Sequence, residues 1–144
     1  MKKGISDSVS VLHGMGSRAT PGRIRLLQIL AENDKPLTVV EIHKKLGLKK
    51  LNQVTIYRIL EALVKAQLVR RVDLQKGSAH NYELVKEGEH HHHIVCTNCG
   101  LVEDVDCNIE PFVKQVAKKS NKFASIADHS MEFFSICKDC VAKE

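Results

Sequence analysis

Apolar positions recur at helical spacing through the first half of the chain and at shorter, strand-like spacing through the second. Ile24, Leu27 and Leu30 form one stripe. Thr20 is placed to cap it, Pro21 sits in its first turn, and Asn33-Asp34-Lys35-Pro36 breaks it. A second stripe, Val39, Ile42 and Leu46, starts at Thr38 and stops at Gly47. A third, Ile56, Leu60 and Leu63, lies within a helix from Asn52 to about Ala66. A short helix over Ser6 to His13, ended by Gly14 and Gly16, precedes them. Leu68-Val69-Arg70-Arg71-Val72, a Lys76-Gly77 turn and Asn81-Tyr82-Glu83-Leu84 then read as a β-hairpin.

Three helices followed by a hairpin wing make a winged helix-turn-helix, assigned to residues 1–86. Residues 87–144 read as a small module of mixed elements, so the fold class is α+β. Val95 and Leu101-Val102-Glu103-Asp104-Val105 predict two strands around a Cys-Gly turn, Ile109 to Ser120 a helix, and Phe123 to Ile136 a strand or bent pair. Such a module exposes sheet edges, which a second copy of the chain would cover, so a homodimer is expected. The hinge is expected around Val85 to Glu89.

The charge of +5 is unevenly distributed. Met1 to Lys86 carries 16 Lys+Arg against 7 Asp+Glu, and Glu87 to Glu144 carries 6 against 10. The N-terminal part is therefore the candidate polyanion binder. In the third helix Thr55, Tyr57 and Arg58 lie away from the apolar stripe, near the helix N-terminus, where a recognition helix meets base edges and phosphates. Arg23, in the first turns of its helix, is placed to hold a phosphate. No apolar run is long enough to span a bilayer, and Met1-Lys2-Lys3 leads into a polar stretch unlike a signal peptide, so the expectation is a cytoplasmic protein without a membrane partner.

Cysteines in that compartment stay reduced and bind metal. Cys96-Thr97-Asn98-Cys99 and Cys137-Lys138-Asp139-Cys140 supply four thiolates, the number that closes a tetrahedral structural Zn2+ site with no open position. Such a site would tie the start of the second module to its last turn, with Cys107 left over as a buried small hydrophobe or a spare thiol. His90-His91-His92-His93 runs into the first pair. It is internal and short, unlike a purification tag. On an extended strand the run splits into two imidazole pairs on opposite faces, His91 with His93 and His90 with His92.

In order and joint presence several segments resemble the ferric uptake regulator family of bacterial metal-responsive repressors, over nearly the whole chain. They are Arg18-Ala19-Thr20-Pro21-Gly22-Arg23, Val54-Thr55-Ile56-Tyr57-Arg58-Ile59-Leu60, Tyr82-Glu83-Leu84, the histidine run with Cys96 and Cys99, and His129 ahead of Cys137 and Cys140. The resemblance implies a winged-helix DNA-binding domain, a C-terminal dimerisation domain and structural zinc at the four cysteines. It implies a second divalent metal, Fe2+, Zn2+ or Mn2+, as the regulatory ion at Glu83, His91, His93 and Asp104, and an additional site at His90, His92, Glu110 and His129. Arg18 matches a minor-groove residue, and Tyr57 and Arg58 match major-groove readers of a roughly palindromic duplex operator. Three positions depart from the family pattern. Lys35-Pro36 stands where a regulatory histidine is often found, with His43 and His80 as possible substitutes. The spacing at Glu110 differs by one residue, and Ser135 replaces a glycine before the last cysteine pair.

Other readings account for less of the chain. A zinc hydrolase or deaminase needs an open coordination position beside a general acid or base, and the His-x-Glu with Pro-Cys-x-x-Cys pattern is missing from the sequence. A zinc-ribbon RNA binder explains the cysteines but not the Tyr57-Arg58 helix together with a wing. The chain is therefore expected to be a regulator and not an enzyme.

Overall fold

The computed structural model describes residues 5–47, 51–75, 79–85, 90–106 and 108–143. The Lys76-Gly77 turn, Cys107 and all of the expected hinge except Val85 lie outside them. The chain divides into two compact units, Met1–Glu87 and Gly88–Glu144.

The first unit contains α1 (Ile5–Gly14), α2 (Pro21–Glu32), β1 (Leu37–Thr38), α3 (Val39–Leu46), α4 (Gln53–Lys65), β2 (Val69–Val72) and β3 (Asn81–Leu84). Local chemistry sets the helix ends. Thr20 occupies the extended cap position of α2 without a side-chain capping bond, and Pro21 follows it. Thr38 and Glu41 form a reciprocal capping box at α3, with Glu41 N donating to Thr38 Oγ1 at 3.2 Å and Thr38 N to Glu41 Oε2 at 2.7 Å. Gly47 ends α3 at φ 78°, a conformation that suits glycine. Asn52 caps α4 by accepting from Thr55 N at 2.8 Å.

These ends hold the three stripes against one another. Leu26, Ile42, Ile56, Leu60 and Leu63 are fully buried, and Leu12 of α1 closes the same core. The wing sheet has the order β1-β3-β2, all antiparallel. Its first strand was not expected, because two residues carry no readable alternation. Tyr82, in the middle of β3, packs into the helical core. Burial pushes its pKa above the usual tyrosine value, and a hydrogen bond with Glu61 of α4 acts in the same direction.

The second unit contains β4 (His91–Cys96), β5 (Val102–Asp106), α5 (Glu110–Lys119), β6 (Glu132–Ser135) and α6 (Lys138–Val141). β4 is central, antiparallel to β5 and parallel to β6. Of the stretch expected as a strand or bent pair, only Glu132–Ser135 is strand. Ahead of it, Ser120 Oγ accepts the backbone N–H groups of Lys122 and Phe123 at 3.2 and 3.0 Å, a local turn that competes with sheet pairing. The apolar core here is small: Val95 and Val102 are buried along with Cys96 and Cys140, while α5 buries no residue.

Candidate metal centre

The four cysteines converge from both ends of the second unit. Cys96 closes β4, Cys99 lies in the turn that follows, Cys137 is the N-cap residue of α6 and Cys140 lies within that helix. Gly100, at φ 74°, lets that turn close tightly, with its N–H on Cys96 O at 2.9 Å. The four sulfurs all lie within 4.8 Å of one another. Cys96 Sγ is 3.9 Å from Cys140 Sγ, and Cys99 Sγ is 3.7 Å from Cys137 Sγ. A tetrahedron with Zn–S bonds of about 2.3 Å has edges of about 3.8 Å, so the donor set fits zinc in both number and spacing.

Electrostatics points the same way. Backbone N–H groups of Cys137 and Cys99, at 3.3 and 3.5 Å, point at Cys96 Sγ and lower its pKa to about 6. The Cys140 thiol is pushed up to about 12, chiefly by its hydrogen bonds to the Cys137 and Cys99 sulfurs. Four thiolates this close repel one another unless a cation sits among them.

The alternation expected along β4 is present. His91 and His93 share one face with ring centroids 5.1 Å apart, and His90 and His92 share the other at 4.9 Å. His129 joins the second pair, its Nε2 lying 2.9 Å from His90 Nε2 and 3.2 Å from His92 Nε2. Three imidazole nitrogens thus converge on one point. Glu110 is not among them: it begins α5, exposed, and pairs with Lys114 at 2.9 Å, which lowers its pKa.

On the other face, β5 pairing sets Asp104 directly opposite His93, with Oδ1 3.7 Å from Nε2. His93 is almost fully buried, at 2% exposure. Two carboxylates passed over in the sequence flank the same face. Asp106 is the partner of His91 across β5, and Glu132 is the partner of His93 across β6. Asp106 was readable as the next same-face position after Asp104. Glu132 had no local signal, because its pairing is parallel and 39 residues distant in sequence. Glu83 lies on β3 of the first unit, buried at 8% exposure. Among the described residues, His43 and His80 join no group of three or more ligand side chains.

The first unit also gathers its expected contact residues. Arg23 of α2 and Thr55 and Arg58 of α4 line one cavity, together with Leu12, Ser17 and Ile59. Arg23 Nη1 donates to Arg18 O at 3.2 Å, which brings Arg18 to the same edge. Tyr57 stands exposed on α4. No helix is long and apolar enough to cross a membrane among the described residues.

Comparison with known proteins finds relatives in both sequence and fold. The sequence profile of the Ferric uptake regulator family matches residues 14–134. The chain is 32% identical over 143 residues to the ferric uptake regulation protein of Bacillus subtilis (strain 168), covering 92% of this chain and 91% of that protein. It is similar in structure to the Helicobacter pylori ferric uptake regulator, described as having three functional metal binding sites, at a TM-score of 0.76 and 25% identity, with 97% of this chain and 95% of that one covered. The ferric uptake regulator of Francisella tularensis, solved with iron, matches at a TM-score of 0.71 and 29% identity over 88% of this chain and 96% of that one. With a winged helix, a four-cysteine cluster and two imidazole faces on one strand, and with a family match across most of its length, the chain belongs to the ferric uptake regulator family of metal-responsive transcriptional regulators.

Proposed function

We propose that this chain is a cytoplasmic homodimeric repressor that binds a roughly palindromic duplex operator only when a divalent cation occupies its regulatory site. The observation that carries the reading is the opposite-face arrangement of histidines on β4, beside a cluster of four sulfurs spaced for zinc.

In this reading Cys96, Cys99, Cys137 and Cys140 hold structural Zn2+. Glu83, His91, His93 and Asp104 hold the regulatory ion. His90, His92 and His129 hold a further ion, with Glu110 engaged elsewhere. Imidazole with carboxylate suits a borderline divalent ion such as Fe2+, Zn2+ or Mn2+. Occupation of these ligands by the cation then stabilises the operator-binding form of the chain. By linkage, DNA that selects the same arrangement tightens metal binding in turn.

Arg18 and Arg23 contact backbone and minor groove, and Thr55, Tyr57 and Arg58 read the major groove. Support for the homodimer comes from apolar side chains left at the surface of the second unit, among them Phe112, Phe123, Phe133 and Phe134. Reduced cysteines in a metal cluster fit the cytoplasm.

The test is operator binding by fluorescence anisotropy, with chelator-treated protein reloaded with Mn2+, Fe2+ or Zn2+. His91→Ala with His93→Ala is expected to abolish metal-dependent binding, and His90→Ala with His92→Ala to reduce it less. Equal losses from the two pairs would refute the two-face assignment.

A further inference from the structure

Asn81 is buried on β3, at 3% exposure, and its Nδ2 has no hydrogen-bond partner among the described atoms. A buried amide donor left in this condition is costly, and native proteins hold few of them. An apolar β-branched residue would be the ordinary choice at such a strand position.

Its surroundings narrow what the donor serves. Strand alternation puts Asn81 and Glu83 on one face of β3 and Tyr82 on the other. On that face the cross-strand neighbours of Asn81 are Thr38 on β1 and Val72 on β2. The Thr38 hydroxyl is committed to the α3 capping box, accepting from Glu41 N and donating to Glu41 Oε2 at 2.9 Å. Val72 is apolar, as is Ala79, two residues earlier in the chain. Arg70, paired with Glu83 across β2, has donors only. Glu83 is left as the flanking side chain able to accept. Same-face residues two apart on a strand lie about 6.7 Å from each other, a span that an asparagine and a glutamate close between them.

We infer that Asn81 is a positioning residue of the regulatory metal site, its Nδ2 donating to one oxygen of the Glu83 carboxylate while the other oxygen coordinates the cation. The inference rests on the reading of Glu83 as a regulatory ligand. The hydrogen bond selects one carboxylate rotamer and holds it toward the ion, the usual task of a residue that supports a ligand without touching the metal.

Asn81→Leu removes the donor while keeping the shape of the side chain, and Asn81→Val is the alternative if leucine disturbs the strand. Each is measured in two ways on the zinc-loaded full chain: thermal unfolding without added metal, and Mn2+ titration by calorimetry, with the regulatory site defined as the binding lost in His93→Ala. The expected result is a melting temperature at or above that of the parent, because an unpaired amide has been removed, together with Mn2+ affinity at that site weakened by about 10- to 100-fold. A merely structural asparagine would instead lower the melting temperature and leave Mn2+ affinity unchanged, which overturns the inference. Unchanged affinity at any melting temperature also overturns it. If His93→Ala removes no Mn2+ binding, the regulatory-site reading itself fails and takes this inference with it; if it does remove binding, any failure belongs to Asn81 alone.

Discussion

Replacing Cys140 by serine tests whether the second unit is held by its metal or by its core. The described apolar core of that unit consists of Val95 and Val102 with the two buried cysteines, and α5 buries nothing. Full burial of a valine contributes roughly 1.5–3 kcal/mol. A structural zinc site contributes about 10–16 kcal/mol in small domains, so the metal outweighs both valines together. Cys140 is the most buried sulfur donor near the chain end and lies 3.9 Å from Cys96 Sγ, so its loss opens the tetrahedron at the point where α6 is tied to β4. Cys140→Ser should lose tightly bound zinc, measured by elemental analysis after dialysis against chelator. Hydrogen exchange should show β4 and β6 losing protection. The helical core around Leu26, Ile42 and Leu60 should keep its protection, since it belongs to the other unit. A Cys140→Ser protein that retains one zinc per chain and full protection in β4 would refute the argument.

The Tyr82 pKa, raised by burial, means that the folded state favours the neutral phenol. Its stabilising contribution is complete below pH 10 and is lost as pH rises through the elevated folded value, so Tyr82→Phe should flatten the alkaline limb of a stability–pH curve measured by denaturant unfolding. Gln67 follows α4 in the left-handed region at φ 59°, where Gln67 N bonds Val64 O and Leu68 N bonds Leu63 O; Gln67→Gly relieves that backbone and should raise stability by up to about 1 kcal/mol in urea unfolding. Arg23→Ala should weaken binding about equally on operator and random duplex and reduce the salt slope by roughly one unit. Arg58→Ala with Tyr57→Ala should instead erode discrimination between the two, by about 1–3 kcal/mol per lost base contact, as read from competition binding with excess metal.

Most of the first unit was legible because its signals are local. Three apolar stripes, the helix starts at Thr38 and Asn52 and the stop at Gly47 each act within a few residues, and the buried set follows from them. The two faces of β4 were legible for the same reason, since alternation is a property of one strand. β1 escaped because it is two residues long, and β6 was only half found because its neighbour was not inferable from its own sequence. The parallel register of β6 is nevertheless not arbitrary. Ser135 pairs with Cys96, and Cys137, two residues later, brings its sulfur into the cluster that contains Cys96. The four-sulfur site therefore fixes how far β6 can slide along β4, because a shift of one residue would move Cys137 by about 3.3 Å and break the tetrahedron. The same register puts Glu132 beside His93, on the face that carries Asp104. The cysteine cluster thus sets the carboxylate surroundings of an imidazole three residues up the strand, and loss of the metal it holds should disturb His93 even though no atom of His93 belongs to that cluster.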